Sequence, residues 1–396
     1  MFKTKHVLGA MLMLTLFFSL AVTAFTADGI KVKFDGRELA LDVAPVVSNG
    51  STLVPISAIA GDMGGDSVYN PTDKTIVITT ADNKIELKVD SKNAKVNGAA
   101  KTLEVAAKVI NGRTMIPLRF VGEALGAEVS YSDSAKTVTI TYFNNMSGTL
   151  KIGGSTTIQP LAQAAADKLM AKNKNLSITV AGGGSGEGIK GAHAGTFNIG
   201  NASRDIVQND YDTYPGIVSH TIGYDGIVIV VNSANQVSNL TKQQVFDIFT
   251  GKIKNWKEVG GSDAAIFVQT REASSGTLGA FKELALDVID KTAAIVETAT
   301  PHTSNGLLKQ AVAQNTNAIG FLSMGYLDNT VKAPKVDGVE ATQANAMSKA
   351  WPFVRSLNVV TKGTPSGLTA KFINYLRSFE GQLLVSADYL PIRNQD

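Results

Sequence analysis

The chain has 396 residues, 44% hydrophobic and 18% charged, which suits about two to three globular domains and excludes a disordered polymer. Its 37 Lys+Arg against 34 Asp+Glu leave +3, too little for a general electrostatic footprint on nucleic acid or an anionic membrane. The lack of cysteine excludes thiol catalysis, thiolate metal sites, disulfides and a lipid-modified N-terminal cysteine. Four histidines (His6, His193, His220, His302) with no i, i+4 pair give no reason to expect a metal site.

The chain opens with Lys3 and Lys5, an apolar run from Val7 to Ala21, and the small-residue pattern Val22-Thr23-Ala24. A basic start, an apolar stretch and such a site predict a secretory signal peptide over residues 1–24, whose removal leaves a net charge of +1. The alternative is an uncleaved anchor, because the run approaches membrane-spanning length. Either way the remainder is exported, and no later segment has the length and apolarity to span a bilayer.

Residues 28–143 hold an internal repeat. Asn49-Gly50-Ser51-Thr52-Leu53-Val54-Pro55 recurs at an offset of 62 as Asn111-Gly112-Arg113-Thr114-Met115-Ile116-Pro117. The match continues through Gly64 and Gly126, Tyr69 and Tyr131, and Lys74-Thr75 and Lys136-Thr137. Each copy reads as a strand entered through an Asn-Gly turn, a short helix whose first turn holds Pro55 or Pro117, and an alternating strand such as Thr75–Thr79. This segment resembles the repeat domain first named from the N-terminus of copper amine oxidases, common as a stalk in exported bacterial proteins. It has no His or Cys, so no copper chemistry is expected of it. The resemblance implies an α+β spacer or a surface-attachment module. Residues 144–148, Asn-Asn-Met-Ser-Gly, read as a linker.

From 149 onward, short apolar strands alternate with helical stretches, which predicts an α/β architecture with mainly parallel sheets. Leu150–Ile152 precedes a helix over Leu161–Ala171, Gly226–Val231 is a buried-strand pattern, and Thr241 to Gln244 forms a capping box. Three segments share one chemistry: Gly153-Gly154-Ser155-Thr156-Thr157, Gly182-Gly183-Gly184-Ser185-Gly186, and Arg271-Glu272-Ala273-Ser274-Ser275-Gly276-Thr277. Each sets glycines and hydroxyl residues at the start of a helix, where unpaired N–H groups and the positive dipole end favour an anion. Arg271 adds a fork of donors suited to an oxyanion. Singly, each is what an ordinary cap looks like. Together they point to anion binding. The glycine run lacks the Gly-Lys-Ser/Thr ending of a nucleotide P-loop, and there is no Gly-x-Ser-x-Gly nucleophile elbow.

These motifs, with Ile199-Gly-Asn-Ala-Ser203-Arg204, Ile248–Gly261 around Trp256, and Asn317–Ser323, make residues 149–396 resemble the phosphate-binding proteins of ABC-type phosphate importers. The resemblance implies a two-lobed periplasmic-binding-protein-like (type II) α/β fold with a two-strand hinge near Gly226–Val231 and Ile319–Ser323. Lobe I would hold about 149–228 and 324–396, and lobe II about 229–323. It implies phosphate ligands at Thr156, Thr157, Ser185, Ser203, Arg204, Arg271, Ser275, Gly276 and Thr277, with Trp256 packing inside its lobe.

There are two departures. Ser274 stands where a glycine is usual, and Arg204 follows Ser203 where many members have an Asp that accepts the proton of monohydrogen phosphate. Asp225 is the candidate replacement acceptor, against the reading of Asp225-Gly226 as a turn. The expected protein is a monomeric, exported, non-catalytic binder of inorganic phosphate. It would use no cofactor and no nucleic acid, deliver to an ABC importer permease, and sit at the cell surface or, in a two-membrane cell, in the periplasm. The alternatives are a binder of another tetrahedral oxyanion such as sulfate, a surface phosphohydrolase, and an adhesion or scaffold protein.

Overall fold

The structure is a computed structural model that describes residues 29–393; the expected signal peptide lies outside them. The two repeat copies fold as one unit. Their strands Ser51–Pro55 and Arg113–Pro117 pair antiparallel at the centre, Met115 against Pro55 and Pro117 against Leu53. Asn49-Gly50 and Asn111-Gly112 take the left-handed turns that make each hairpin. Pro55 and Pro117 cap the helices Ile56–Asp62 and Leu118–Ala124, one residue earlier than expected. The N-terminal hairpin (Lys31–Phe34, Arg37–Glu38) completes the sheet of the second copy, Lys31–Phe34 running parallel to Thr137–Thr141. Each copy therefore depends on the other for a closed core.

The linker is not a tether. Met146 is buried, its N–H donates to Asn173 Oδ1 at 2.7 Å, and Gly148 already begins the first strand of the next domain. One apolar cluster runs from Val32 through Tyr142, Phe143 and Met146 to Phe372, Tyr375 and Tyr389, joining the repeat domain to lobe I. Within it Asn374 accepts from Ala81 N–H at 2.9 Å and donates to the Tyr142 hydroxyl at 2.9 Å. Gly64, at φ +75°, lies so close that a Cβ would stand 1.9 Å from the Asn374 carbonyl oxygen, so only glycine fits. At the rim Asp66 pairs with Arg377 and Arg393, and Arg37 lies over the Phe379 ring.

In the binding half, nine strands form a continuous sheet through both lobes. Lobe I carries Leu176–Gly183, Gly148–Gly154 and Ile199–Ala202, in parallel, while lobe II carries Ala318–Ser323, Phe267–Arg271 and Thr300–His302, also in parallel. The centre is antiparallel, so the sheet is mixed, not mainly parallel. The reason is topological: a chain that crosses to a second lobe and returns beside its own path must run the other way. The crossing strand is Ile217–Asn232. Up to Gly226 it pairs with Val354–Lys362, and from Ile227 it pairs with Ala318–Ser323.

The return crossing is at Phe353–Val354, beside the first, where Ile227 N–H donates to Phe353 O. This corrects the expected second hinge at Ile319–Ser323, which lies wholly inside lobe II. Residues 324–353, expected in lobe I, bury Met324, Val331, Val336, Ala346, Trp351 and Phe353 in the lobe II core. Trp256 is buried in the same core, its indole N–H on Asn317 O. No helix among the described residues is long and apolar enough to cross a membrane.

Candidate functional site

The ends of the lobe I strands and the Arg271 segment of lobe II meet face to face. Gly148–Gly154 delivers Ser155, Thr156 and Thr157 into the turn before the helix Gln159–Lys172. Leu176–Gly183 delivers Ser185 at the start of the helix Ser185–Ala194, and Ile199–Ala202 ends at Ser203. Phe267–Arg271 ends at the guanidinium, and Ser275 caps the helix Gly276–Phe281 by accepting from Leu278 N–H. Thr156, Thr157, Ser185, Ser203, Asp225, Arg271, Ser275 and Thr277 are all buried. Gly276 is glycine because a Cβ there would stand 2.1 Å from Ser185 Oγ across the cleft.

Hydrogen-bond capacity separates the residues held within the protein from those left with a donor to spare. Thr157 Oγ1 accepts from Asn305 Nδ2 (2.9 Å) and Arg355 Nη2 (3.1 Å). With both lone pairs taken, its hydrogen goes to Thr277 Oγ1 at 3.3 Å. Its N–H is directed at Ser155 Oγ, so Thr157, expected as a ligand donor, is instead the knot that ties both lobes and the hinge together. Thr156 Oγ1 accepts from Arg271 Nη2 at 3.2 Å and keeps its own hydrogen. Ser275 and Thr277 accept from Leu278 N–H and Thr157 in the same way and keep theirs. Ser185 Oγ accepts from Ser203 N–H (3.0 Å), while Ser155 donates to Ser203 Oγ (2.8 Å).

Arg271 gives Nε to His302 O and Nη2 to Thr303 O, and its buried Nη1 has no protein partner. Burial, and after it the nearby Arg355, pull its guanidinium down to about 10. Arg355 donates twice to Asp225 Oδ2 (3.0 and 2.6 Å) and once to Ser203 O (2.9 Å). Asp225 is fully buried, with the Ser323 hydroxyl and the Met324 N–H beside its carboxylate; burial raises its pKa against the opposing pull of Arg355, Ser323 and Met324. Asp225 thus neutralises Arg355 and leaves the buried Arg271 beside it without a paired carboxylate, and an uncompensated buried cation is costly unless an anion joins it.

Arg204 does not enter the site. Both its terminal nitrogens are held by Asp210, at 2.6 and 2.7 Å, while its Cδ lies 3.4 Å from where a Cβ on Gly279 of lobe II would stand. The expectation failed because an arginine next to a site serine has the reach to turn to a stronger partner. Arg355, Asn305 and Ser155 were missed. Arg355 did leave a signal, as a lone charge in the otherwise apolar run Trp351-Pro-Phe-Val-Arg-Ser-Leu. Asn305 left none.

The PBP superfamily domain matches residues 133–380, and the copper amine oxidase N-terminal domain matches residues 33–140. The phosphate-binding protein PstS of Bacillus subtilis is 35% identical over 274 residues, 68% of this chain and 88% of that protein. The chain belongs to the phosphate-binding protein family. PstS of Pseudomonas aeruginosa PAO1 is 30% identical over 312 residues, 71% of this chain and 94% of that one. Among solved structures, one described as a phosphate ABC transporter substrate-binding protein of Clostridium perfringens, with bound phosphate, is 38% identical with a TM-score of 0.59. An ABC-type phosphate transport receptor of Vibrio cholerae is 32% identical with a TM-score of 0.52. Each of these two is covered in full by 62% of this chain, so the repeat domain is an addition to the family's binding unit.

Proposed function

We propose that this protein is an exported, non-catalytic binder of inorganic phosphate that closes its lobes over the anion and delivers it to an ABC importer permease. The observation that carries the reading is the buried pair Arg271 and Arg355 against the single carboxylate Asp225, with Arg271 Nη1 unpartnered. Around it stand Thr156, Ser185, Ser203, Ser275 and Thr277, whose hydroxyls supply the donors a tetrahedral oxyanion takes. Asp225, a fully buried carboxylate beside Arg355, is the acceptor for the proton of monohydrogen phosphate. Fully ionised sulfate offers no such proton, so a buried acceptor selects against it. The protein acts as a monomer outside the cytoplasm, and the repeat domain is its contact with the cell surface.

The test is calorimetric titration of phosphate into the ligand-stripped protein, with sulfate as competitor. Tight binding that survives excess sulfate and falls at least about 100-fold in Arg271→Ala supports the reading, since charge-assisted hydrogen bonds in a buried site contribute about 1.5–3 kcal/mol each. Folded protein that takes up no phosphate would overturn it.

A further inference from the structure

Two of the hydrogen-bonded contacts between the closed lobes lie at the rims of the cleft, off the anion's own ligands. At one rim of the cleft, Ser274 of lobe II donates its hydroxyl to Gly183 O at 3.3 Å and its carbonyl accepts from Gly186 N–H at 3.0 Å. At the other, Tyr326 of the lobe II segment Met324–Tyr326 donates its hydroxyl to Thr156 O at 2.7 Å. Both partners in each bond belong to opposite lobes, so the bonds exist only when the lobes meet. Ser274 is the position where the family resemblance calls for glycine, and the hydrogen bond from Oγ is what the extra hydroxyl adds.

We propose that Ser274 and Tyr326 are positioning residues, a two-point latch that sets how long the closed lobes retain their anion while making no contact with it. The proposal rests on the phosphate reading above. In the open form the latch groups are hydrated, so association, which starts from open lobes, is indifferent to them. Release requires the bonds to break, and each is a net hydrogen bond whose loss speeds release by about three- to tenfold. Tyr326 has a second consequence. By holding the Thr156 carbonyl it fixes the turn whose hydroxyl Arg271 grips, and Tyr389 does the same from lobe I by donating to Thr157 O at 2.7 Å.

The experiment loads the full chain with radiolabelled phosphate and follows its release into excess unlabelled phosphate, with capture rates measured separately. Ser274→Gly and Tyr326→Phe are each expected to release about three- to tenfold faster than wild type, and the double variant by about the product. Capture rates and the melting temperature of the ligand-free protein stay at wild-type values. Ser274→Thr, which keeps the hydroxyl, stays closer to the wild-type release rate than Ser274→Gly. Release at the wild-type rate in both single variants, or slowed capture in place of faster release, overturns the latch. If wild type retains no phosphate, the phosphate reading and the latch fall together, whereas normal retention with unchanged variants refutes the latch alone.

Discussion

Asn374→Ala tests whether the repeat domain is a tethered stalk or a fixed part of lobe I. The side chain is fully buried, and truncation strands the Ala81 N–H and the hydroxyl of Tyr142, itself 1% exposed. A buried donor or acceptor left unmatched costs about 1–3 kcal/mol, so the two together, with the lost amide volume, cost about 3–5 kcal/mol. For a cooperative unit of this size that is a fall of roughly 10 °C in melting temperature. The assay is thermal unfolding by far-UV circular dichroism of the ligand-free chain. Both tryptophans, Trp256 and Trp351, lie in the lobe II core, so their fluorescence reports lobe II separately. The repeat domain and lobe I should melt together, and Asn374→Ala should move that transition. A separate repeat-domain transition in wild type, or an unmoved transition in the variant, would refute the docking argument.

Arg355→Met should destabilise the protein by about 3–5 kcal/mol in urea unfolding, because it leaves the Asp225 carboxylate buried without its partner. Adding Asp225→Leu should recover most of that stability while calorimetry still finds phosphate binding lost, which separates the structural share of the pair from its share in the site. His220 lies in a small cavity between the repeat domain and lobe I, near Asp66, Asp82 and Arg377, and its Nε2 has no partner. Burial first, and Arg377 second, depress its pKa from 6.5 to about 4. The neutral ring's contribution is therefore complete above pH 6.5 and is lost as the pH falls toward 4. His220→Gln should flatten the fall in stability over that window by about 2 kcal/mol, after allowance for partial exposure, in urea midpoints taken at successive pH values.

Much of the site was legible because its parts are local. A glycine-rich strand end, hydroxyls at a helix start and an Arg before Ser-Gly-Thr are set by neighbours in the chain, and their backbone chemistry is the same wherever the fold carries them. Thr156, Ser185, Ser203, Arg271, Ser275 and Thr277 were singled out this way and are buried together in the fold, and the repeat at an offset of 62 was legible for the same reason. What escaped was pairing across long separations. Arg355 meets Asp225 from 130 residues away, and Asn305 meets Thr157 from 148. Arg204 failed in the opposite direction, drawn to Asp210 six residues on by a bidentate geometry its neighbours do not announce.

By itself the sequence determined the two-part organisation, the repeat, the α/β character of the second part and the chemistry of its glycine- and hydroxyl-rich loops, because turns, caps and periodicity are properties of short segments. Only the tertiary structure decided where the chain recrosses between lobes, that the sheet centre is antiparallel, and that Thr157 ties the two lobes together and keeps no donor to spare. It also decided that the supposed linker is clamped and the repeat domain seated on lobe I. Each of these depends on which of several distant partners saturates a given donor, acceptor or apolar face. That competition is resolved only when all the partners are brought together in one core.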